Sequence, residues 1–318
     1  MSAETAILSI PDAPHLNVDR AAPLSRCTTW RIGGPAELLV RTGNAQDIVA
    51  AVRWAKGEGM PVTIIGGGSN LLIDDEGLRG LVIVAKVSGE RSEALVTTVD
   101  EGESVLLTVG AQAPLSWVGR FASERGLAGM DWGVGLPGTI GGATVNNAGA
   151  HGTEQKDHLV SARVLMPDGE VDVVDRDWLN PTYRNTTIKA MARPRGHCVL
   201  DVTMRLPLGD RDELVRLSDE HAAYRKATQP TGACAGSTFA NPPGDFSGRL
   251  LEEAGLKGHA VGPVSFSTKH TNFIVNAGGG TAAQVRELIE HGRAVVRERF
   301  GVHLETEIEF LSDELGGS

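Results

Sequence analysis

Residues 129–152 read Gly-Met-Asp-Trp-Gly-Val-Gly-Leu-Pro-Gly-Thr-Ile-Gly-Gly-Ala-Thr-Val-Asn-Asn-Ala-Gly-Ala-His-Gly, so eight of these twenty-four residues are glycine. Glycine admits positive φ angles and places no Cβ between the backbone and a ligand. Successive amides in such a segment can point into one concavity and bind an anion or a polar ring. A single glycine loop is usually a turn, but this density predicts a binding cradle.

A second glycine cluster, Gly66-Gly-Gly-Ser-Asn70, follows the apolar run Val62–Ile65. Upstream, residues 36–41 are typical of a strand, and Asn44 can cap a helix that ends near Gly57. A β-α-β unit has a right-handed parallel crossover, which delivers the glycines to the carboxyl end of the second strand, where ligands bind in α/β sheets. Two such loops predict one long, doubly charged ligand.

The hydrophobic pattern predicts two further lobes. In the second, Pro167-Asp-Gly169 forms a hairpin turn in a mixed or antiparallel sheet. The third contains a long amphipathic helix over 281–300. We therefore predict an α+β fold of three lobes, with an α/β C-terminal lobe and a strand near 304–311. The predicted lobes are 1–88, 89–226 and 227–318. The other predicted elements are strands at 94–99, 104–109, 160–165, 170–174, 198–206, 260–266 and 272–276, and helices at 115–125, 212–227 and after 247.

Composition excludes several classes of protein. The formal net charge is −10, and no basic stripe is present, so a nucleic-acid partner is not expected. Cys27, Cys198 and Cys234 lack C-x-x-C spacing, which favours reduced thiols and argues against a zinc site or any other metal centre. No apolar run reaches roughly 18 residues, and the N-terminus lacks a basic region before its apolar patch. We expect a cytoplasmic protein without membrane insertion.

Six sequence features occur in one order over roughly residues 20–312: Thr28-Thr-Trp-Arg-Ile-Gly-Gly-Pro-Ala36, Gly66-Gly-Gly-Ser-Asn70, Gly135-Leu-Pro-Gly-Thr-Ile-Gly-Gly142, Tyr183-Arg184, Gly236-Ser-Thr-Phe-Ala-Asn-Pro242 and Glu307. Together they resemble the UDP-N-acetylenolpyruvoylglucosamine reductases, flavoenzymes that make UDP-N-acetylmuramate for bacterial peptidoglycan. The resemblance implies a two-lobed FAD-binding region of the vanillyl-alcohol-oxidase-like type and a C-terminal α/β domain that binds the UDP-sugar. It also implies that the strand near 304–311 returns to the active site. It also implies noncovalent FAD, NADPH as co-substrate, and UDP-N-acetylglucosamine enolpyruvate as substrate.

The same resemblance implies roles for individual residues. Ser237 would donate a proton, while Arg184 and Glu307 would hold and polarise the substrate carboxylate. The FAD-binding set would be Gly66, Gly67, Gly68, Ser69, Asn70, Gly138, Thr139, Gly141, Gly142, Asn146 and Gly149, mainly through backbone amides. The substrate-binding set would be Tyr183, Asn241, Lys269 and Asn272.

The chain departs from the family pattern at three positions. Thr186 replaces a serine, Ile188 replaces an aromatic residue, and Ala240 stands where relatives often carry lysine. Without the resemblance, Arg184 reads as a solvated arginine at a strand end and Ser237 as a turn residue. Glu305 and Glu307 alternate along a predicted strand and would therefore share one face.

The sequence is compatible with two alternative functions. One is an FAD-dependent alcohol or sugar oxidase of the same flavin superfamily. The other is a non-catalytic module that binds flavin or a UDP-sugar. The Gly-x-Ser-x-Gly elbow is missing, so a serine hydrolase is not expected.

Overall fold

The structure is a computed structural model, and it describes residues 9–87, 89–191 and 197–312. Residues 1–8 and 313–318, together with residue 88 at the predicted first boundary, lie outside the described residues. No helix in the described ranges is long and apolar enough to cross a bilayer.

The first lobe is a four-stranded sheet covered by one helix. Its order is β1-β2-β5-β3, and β2 and β3 both run parallel to β5, which confirms the predicted parallel crossover. The Asn44 side chain accepts a hydrogen bond from the Gln46 amide at 2.8 Å, as expected for the cap of α1. The elements are β1 (Asp19–Pro23), β2 (Pro35–Thr42), α1 (Ala45–Gly57), β3 (Val62–Ile65), β4 (Leu71–Ile73) and β5 (Leu78–Ala85).

The second lobe contains a five-stranded sheet of order β11-β10-β12-β7-β6, antiparallel at every step. The strand predicted at 94–99 begins later, because Gly89–Leu95 forms a 3-10 helix. Its elements are β6 (Val96–Asp100), β7 (Ser104–Gly110), α2 (Leu115–Glu124), α3 (Ile140–Val145), β8 (Gly149–Ala150), β9 (Thr153–Glu154), β10 (Leu159–Leu165), β11 (Val171–Asp175), α4 (Arg176–Leu179), α5 (Thr187–Ala190), β12 (Cys198–Pro207) and α6 (Arg211–Thr228).

The third lobe packs two helices on a small antiparallel sheet of order β13-β16-β15-β14. The strand predicted at 260–266 is a hairpin of two short strands. Thr281 caps the long helix, and Gln284 completes a capping box. The elements are β13 (Ala233–Cys234), α7 (Ser247–Glu253), β14 (Ala260–Val261), β15 (Val264–Phe266), β16 (Ile274–Asn276), α8 (Ala282–Phe300) and β17 (Glu309–Leu311).

The last strand, β17, pairs in parallel with β4 of the first lobe. It begins at Glu309, so the prediction of a strand through Glu305 and Glu307 is wrong. The preceding segment forms one bridge instead, between Thr306 and Phe239. The backbone there is fixed by hydrogen bonds from the Ala240 amide to Glu305 O and from the Glu307 amide to Thr238 O, both 2.9 Å.

Trp30 connects the first lobe to the third. Its side chain is fully buried, and its indole N–H donates to Ile274 O at 2.7 Å. In return, Asn276 Nδ2 donates to Trp30 O at 2.9 Å. The neighbouring Thr29 amide donates to Gly68 O at 3.0 Å. One loop therefore fixes the third lobe against the second glycine cluster.

Candidate active site

A cavity of about 460 Å³ lies where the three lobes meet. Its walls include residues 66–71 from the first lobe, the glycine-rich segment of the second, and residues 235–237 of the third. Arg184, Lys189, Ser237 and Glu307 line it as well. The structure therefore brings together the glycine loops and the three predicted catalytic residues.

The two glycine loops, residues 66–70 and 135–142, pack directly against each other. A Cβ on Gly67 would lie 2.5 Å from Gly138 Cα, and one on Gly66 would lie 2.5 Å from Thr139 Oγ1. Gly68 has a φ of +63°, and a Cβ there would lie 1.9 Å from Cys27 O. Glycine at positions 66 and 67 thus permits the close approach of the two loops, and glycine at 68 permits the approach of this loop to Cys27.

Several loop amides are available to a ligand. The amides of Gly67, Gly68, Ser69, Gly138 and Thr139 form no backbone hydrogen bond with another described residue. Amides arranged in this way can bind a pyrophosphate, and added Cβ atoms would fill the space between the loops. The residues present therefore fit the phosphate-bearing part of FAD.

Gly141 and Gly142 do not supply amides to a ligand. The Gly141 amide donates to Ala111 O at 2.9 Å, and the Gly142 amide donates to Thr139 Oγ1 at 3.3 Å. The predicted amide donation is therefore wrong for these two residues, although both line the cavity. The Gly142 amide is bonded to Thr139, the cap of helix α3, and the Gly141 amide is bonded to the Ala111 carbonyl just after β7.

Arg184 and Glu307 form an ion pair inside the cavity, with Arg184 Nε 2.8 Å from Glu307 Oε1. Their side chains are 22% and 19% exposed, so neither is a solvated surface group. The Arg184 backbone has a φ of +56°, an uncommon conformation for a non-glycine residue. Its guanidinium also donates to Gly149 O at 2.9 Å, which fixes it against the glycine-rich segment.

Sequence reasoning missed Lys189, which lies beside this pair. Its ammonium donates to Asn146 Oδ1 at 2.8 Å and to Arg184 O at 2.9 Å. Burial raises the pKa of Glu307, while the charges of Arg184 and Lys189 act in the opposite direction. Burial also lowers the pKa of Lys189. The only sequence signal was proximity to the Tyr183-Arg184 motif.

The two departures after Arg184 preserve the local structure. Thr186 caps helix α5, and its hydroxyl donates to Val145 O at 2.6 Å. Ile188 is buried in the core of the second lobe. Threonine and isoleucine therefore hold this segment in place.

Ser237 lines the cavity and is half-buried, next to Gly236 with a φ of +75°. Asn272 fixes the residues that follow, since Asn272 O accepts from the Thr238 amide at 2.7 Å and Asn272 Oδ1 accepts from the Phe239 amide at 2.9 Å. Asn272 Nδ2 donates to Phe239 O at 2.8 Å. The predicted substrate contact by Asn272 is therefore wrong, because its side-chain amide is buried and bonded at both ends.

The other predicted substrate residues do not line the cavity. The Asn241 amide contacts Tyr183 Oη at 3.5 Å, and Asn241 Oδ1 accepts from the Ser247 amide. Lys269 Nζ donates to Lys226 O at 2.7 Å. The cation that sequence reasoning missed on this side is Arg225 of α6, which does line the cavity.

In the glycine-rich segment, His151 has a nucleophilic ring nitrogen that could attach to flavin, but it does not line the cavity. Its ring stacks on His221 with centroids 3.9 Å apart. Within the described ranges, no group of three or more histidine, cysteine, aspartate or glutamate residues is placed to hold a metal ion.

Comparisons with known proteins agree with this arrangement. A family model described as the C-terminal domain of UDP-N-acetylenolpyruvoylglucosamine reductase matches residues 228–311, and a model of an FAD binding domain matches residues 36–175. UDP-N-acetylenolpyruvoylglucosamine reductase of Bacillus velezensis is 38% identical over 97% of this chain and 98% of its own length. That of Rubrobacter xylanophilus is 40% identical over 92% and 94%, respectively. The crystal structure of the Thermus caldophilus enzyme superposes with a TM-score of 0.75 at 34% identity, covering 93% of this chain and all of that one.

Proposed function

This chain belongs to the UDP-N-acetylenolpyruvoylglucosamine reductase family, and we propose that it reduces UDP-N-acetylglucosamine enolpyruvate to UDP-N-acetylmuramate with NADPH and noncovalently bound FAD. The observation that carries this proposal is the Arg184–Glu307 pair, which shares one cavity with Ser237 and both glycine loops. When bound, FAD supplies two-electron transfer between NADPH and the enolpyruvyl double bond. The free amides at 67–69, 138 and 139 would hold its phosphates.

Arg184 binds the carboxylate of the substrate. A guanidinium presents a planar fork of donors that matches a carboxylate and stays protonated at neutral pH. The hydrogen bond to Gly149 O and the ion pair with Glu307 hold this group in place. Arg184 therefore orients the substrate and stabilises negative charge that spreads onto its carboxylate during reduction.

Glu307 acts with Arg184 as a hydrogen-bond donor in its protonated form. Its pKa is raised by burial, so it takes up a proton more readily than an exposed glutamate when an anionic substrate enters the cavity. The protonated carboxyl group then donates to the substrate carboxylate. This contact strengthens as the carboxylate gains charge, so it favours the transition state over the ground state.

Ser237 supplies the proton to the substrate carbon next to the carboxylate. Asn272 and the bridge between Thr306 and Phe239 fix the backbone that follows it, so its hydroxyl is held at the cavity wall. A hydroxyl is a weak acid, but a strongly basic carbon within hydrogen-bond distance can take its proton.

We propose the division into lobes at 1–88, 89–226 and 227–318, with the third lobe holding the UDP-sugar against the cofactor-binding lobes. Arg225 supplies a positive charge on that side of the cavity. Because the reaction uses NADPH and supplies a peptidoglycan precursor, we place it in the cytoplasm.

Stepwise reduction under anaerobic conditions tests the proposal. NADPH should bleach the FAD-loaded protein, and addition of UDP-N-acetylglucosamine enolpyruvate should restore the absorbance with formation of UDP-N-acetylmuramate. Rapid reoxidation by air together with no response to the enolpyruvyl compound would identify an oxidase instead. A protein that takes up no FAD would be a binding module.

A further inference from the structure

Lys189 is a buried cation that the proposed chemistry does not yet use. Its side chain is 18% exposed and lines the cavity. The nearest carboxylate, Glu309 Oε1, is 4.0 Å away, whereas the hydrogen bonds of the ammonium go to Asn146 Oδ1 and Arg184 O. The ammonium of Lys189 therefore bonds to neutral oxygens of the protein as well as lying near a carboxylate.

The hydrogen bond to Arg184 O holds a residue whose backbone conformation is unfavourable. Arg184 has a φ of +56°, which a side chain with a Cβ rarely adopts unless its surroundings fix it. The ammonium holds the carbonyl of this residue, while Gly149 O and Glu307 hold its guanidinium. Lys189 thus fixes one end of Arg184 and the cavity fixes the other.

The bond to Asn146 extends the same network to the second glycine cluster, residues 66–70. Asn146 Oδ1 also accepts from Asn70 Nδ2 at 3.1 Å, and that amide donates to Glu307 O at 3.1 Å. One ammonium is therefore connected to the backbone of both Arg184 and Glu307, which lie on different lobes.

We propose that Lys189 is a positioning residue for the reduction, which holds Arg184 and Glu307 in the arrangement that receives the substrate carboxylate. This inference rests on the function proposed for that pair. The charged groups that face Glu307 and its network are Arg184, Lys189 and Glu309. Loss of Lys189 removes a cation near Glu307 and so raises its pKa further.

The test replaces Lys189 with Met, which has a similar length and no charge. The control is Lys56→Met, because Lys56 also donates to a backbone carbonyl, Pro167 O, but lies outside the cavity. The readout is the single-turnover rate at which the substrate reoxidises NADPH-reduced enzyme, measured across pH. Lys189→Met should slow this step by about 10- to 100-fold, the scale of a small misplacement of catalytic groups. In the wild type, this rate should fall as pH rises through the pKa of Glu307, because the protonated form of Glu307 is the donor. Lys189→Met should move this fall, the alkaline limb of the profile, to higher pH. Lys56→Met should match the wild type.

A wild-type rate and pH profile in Lys189→Met would overturn the proposal. A slower rate with an unmoved alkaline limb in a folded variant would also overturn it, because the lysine would then only support the fold. If Lys189→Met does not fold, Lys189→Arg decides. It keeps the charge, so a shifted limb in that variant would contradict the proposal, and a slower rate with an unshifted limb would support it. Parallel assays of Arg184→Lys and Glu307→Gln separate the function proposed for the pair from the positioning role of Lys189. Wild-type rates in both variants would overturn the function proposed for the pair. Impaired rates in both, together with a wild-type rate in Lys189→Met, would overturn only the role of Lys189.

Discussion

Glu305 and Glu307 lie two positions apart, but their surroundings differ. The Glu307 side chain is 19% exposed and contacts Arg184, whereas the Glu305 side chain is 80% exposed. Glu307→Gln should lower turnover by about 10²- to 10⁴-fold, because an amide is a far weaker proton donor than a carboxylic acid. Glu305→Gln should leave turnover nearly unchanged. Steady-state assays of both variants, with melting temperatures as a control, test this, and equal small losses would place both carboxylates outside the reaction.

The pH profile provides a second test of Glu307. Because its protonated form is the donor, activity should fall as pH rises through its pKa, which burial raises above the ordinary value for glutamate. The residual activity of Glu307→Gln should lack this alkaline limb, since an amide does not titrate. A limb that persists unchanged in the variant would belong to another group.

Ser237→Ala should separate the two halves of the cycle. NADPH reduces the protein without any proton on the substrate carbon, so bleaching should proceed at a near-normal rate. Reoxidation by the enolpyruvyl substrate should slow by at least about a hundredfold, and Ser237→Cys should recover part of that rate, because a thiol has a transferable proton. Stopped-flow absorbance measures both steps. Equal effects on the two steps, or none, would return Ser237 to the role of a turn residue.

The sequence could identify the residues of the site but not how they are held. Arg184, Ser237 and Glu307 were found because each lies in a recognisable motif. Lys189 was missed because its ammonium contacts Asn146, which lies far away in sequence and is itself bonded to Asn70. Asn272 was misassigned because the sequence does not distinguish a buried asparagine that hydrogen-bonds to backbone groups from one that binds a ligand.

Among the elements, the loop after β3 should be sensitive to substitution at Gly68. Gly68→Ala places a Cβ 1.9 Å from Cys27 O in a backbone with φ of +63°. Such strain costs on the order of 1–3 kcal/mol, and the shifted loop should weaken FAD binding as well. Gly57→Ala is the matched control, because nothing lies within 4 Å of its added Cβ. Urea denaturation and FAD titration of both variants test this, and equal stability of the two would show that the loop relaxes freely.

Local pattern predicted most helices and strands, because their apolar residues recur at the period of the element. It failed where long-range pairing decided the outcome. The segment that contains Glu305 and Glu307 alternates like a strand, but its hydrogen bonds go to Thr238 and Ala240 in a single bridge. Residues 94–95 fell within a 3-10 helix rather than β6, an error at a boundary that sequence patterns rarely fix.

For the molecule as a whole, FAD should be held without a covalent bond. His151 lies outside the cavity, with its ring stacked on His221. Acid precipitation of the loaded protein should therefore leave the yellow chromophore in the supernatant. The absorbance of pellet and supernatant distinguishes noncovalent from covalent attachment of FAD. Colour that stays in the pellet would show a covalent link.

The separation into lobes is less complete than the sequence suggested. Trp30 and Leu72 belong by sequence to the first lobe, yet their side chains lie in the same buried cluster as Phe239 and Phe266 of the third. Asp75 likewise accepts hydrogen bonds from the first amides of α8, at 2.8 and 3.0 Å. Contacts over two hundred positions apart leave no periodic signal along the chain, so only the folded structure shows them.

The pairing of β4 with β17 also bears on how the protein is synthesised. Among the described strands, Leu71–Ile73 pairs only with Glu309–Leu311, and the two form a two-stranded sheet. A ribosome makes the chain from its N-terminus, so the first lobe emerges long before this partner exists. During that interval β4 exposes unpaired backbone groups, the feature that invites pairing with a foreign strand. Glu307 emerges just ahead of β17, so the active site cannot close before residues 307–311 have been made.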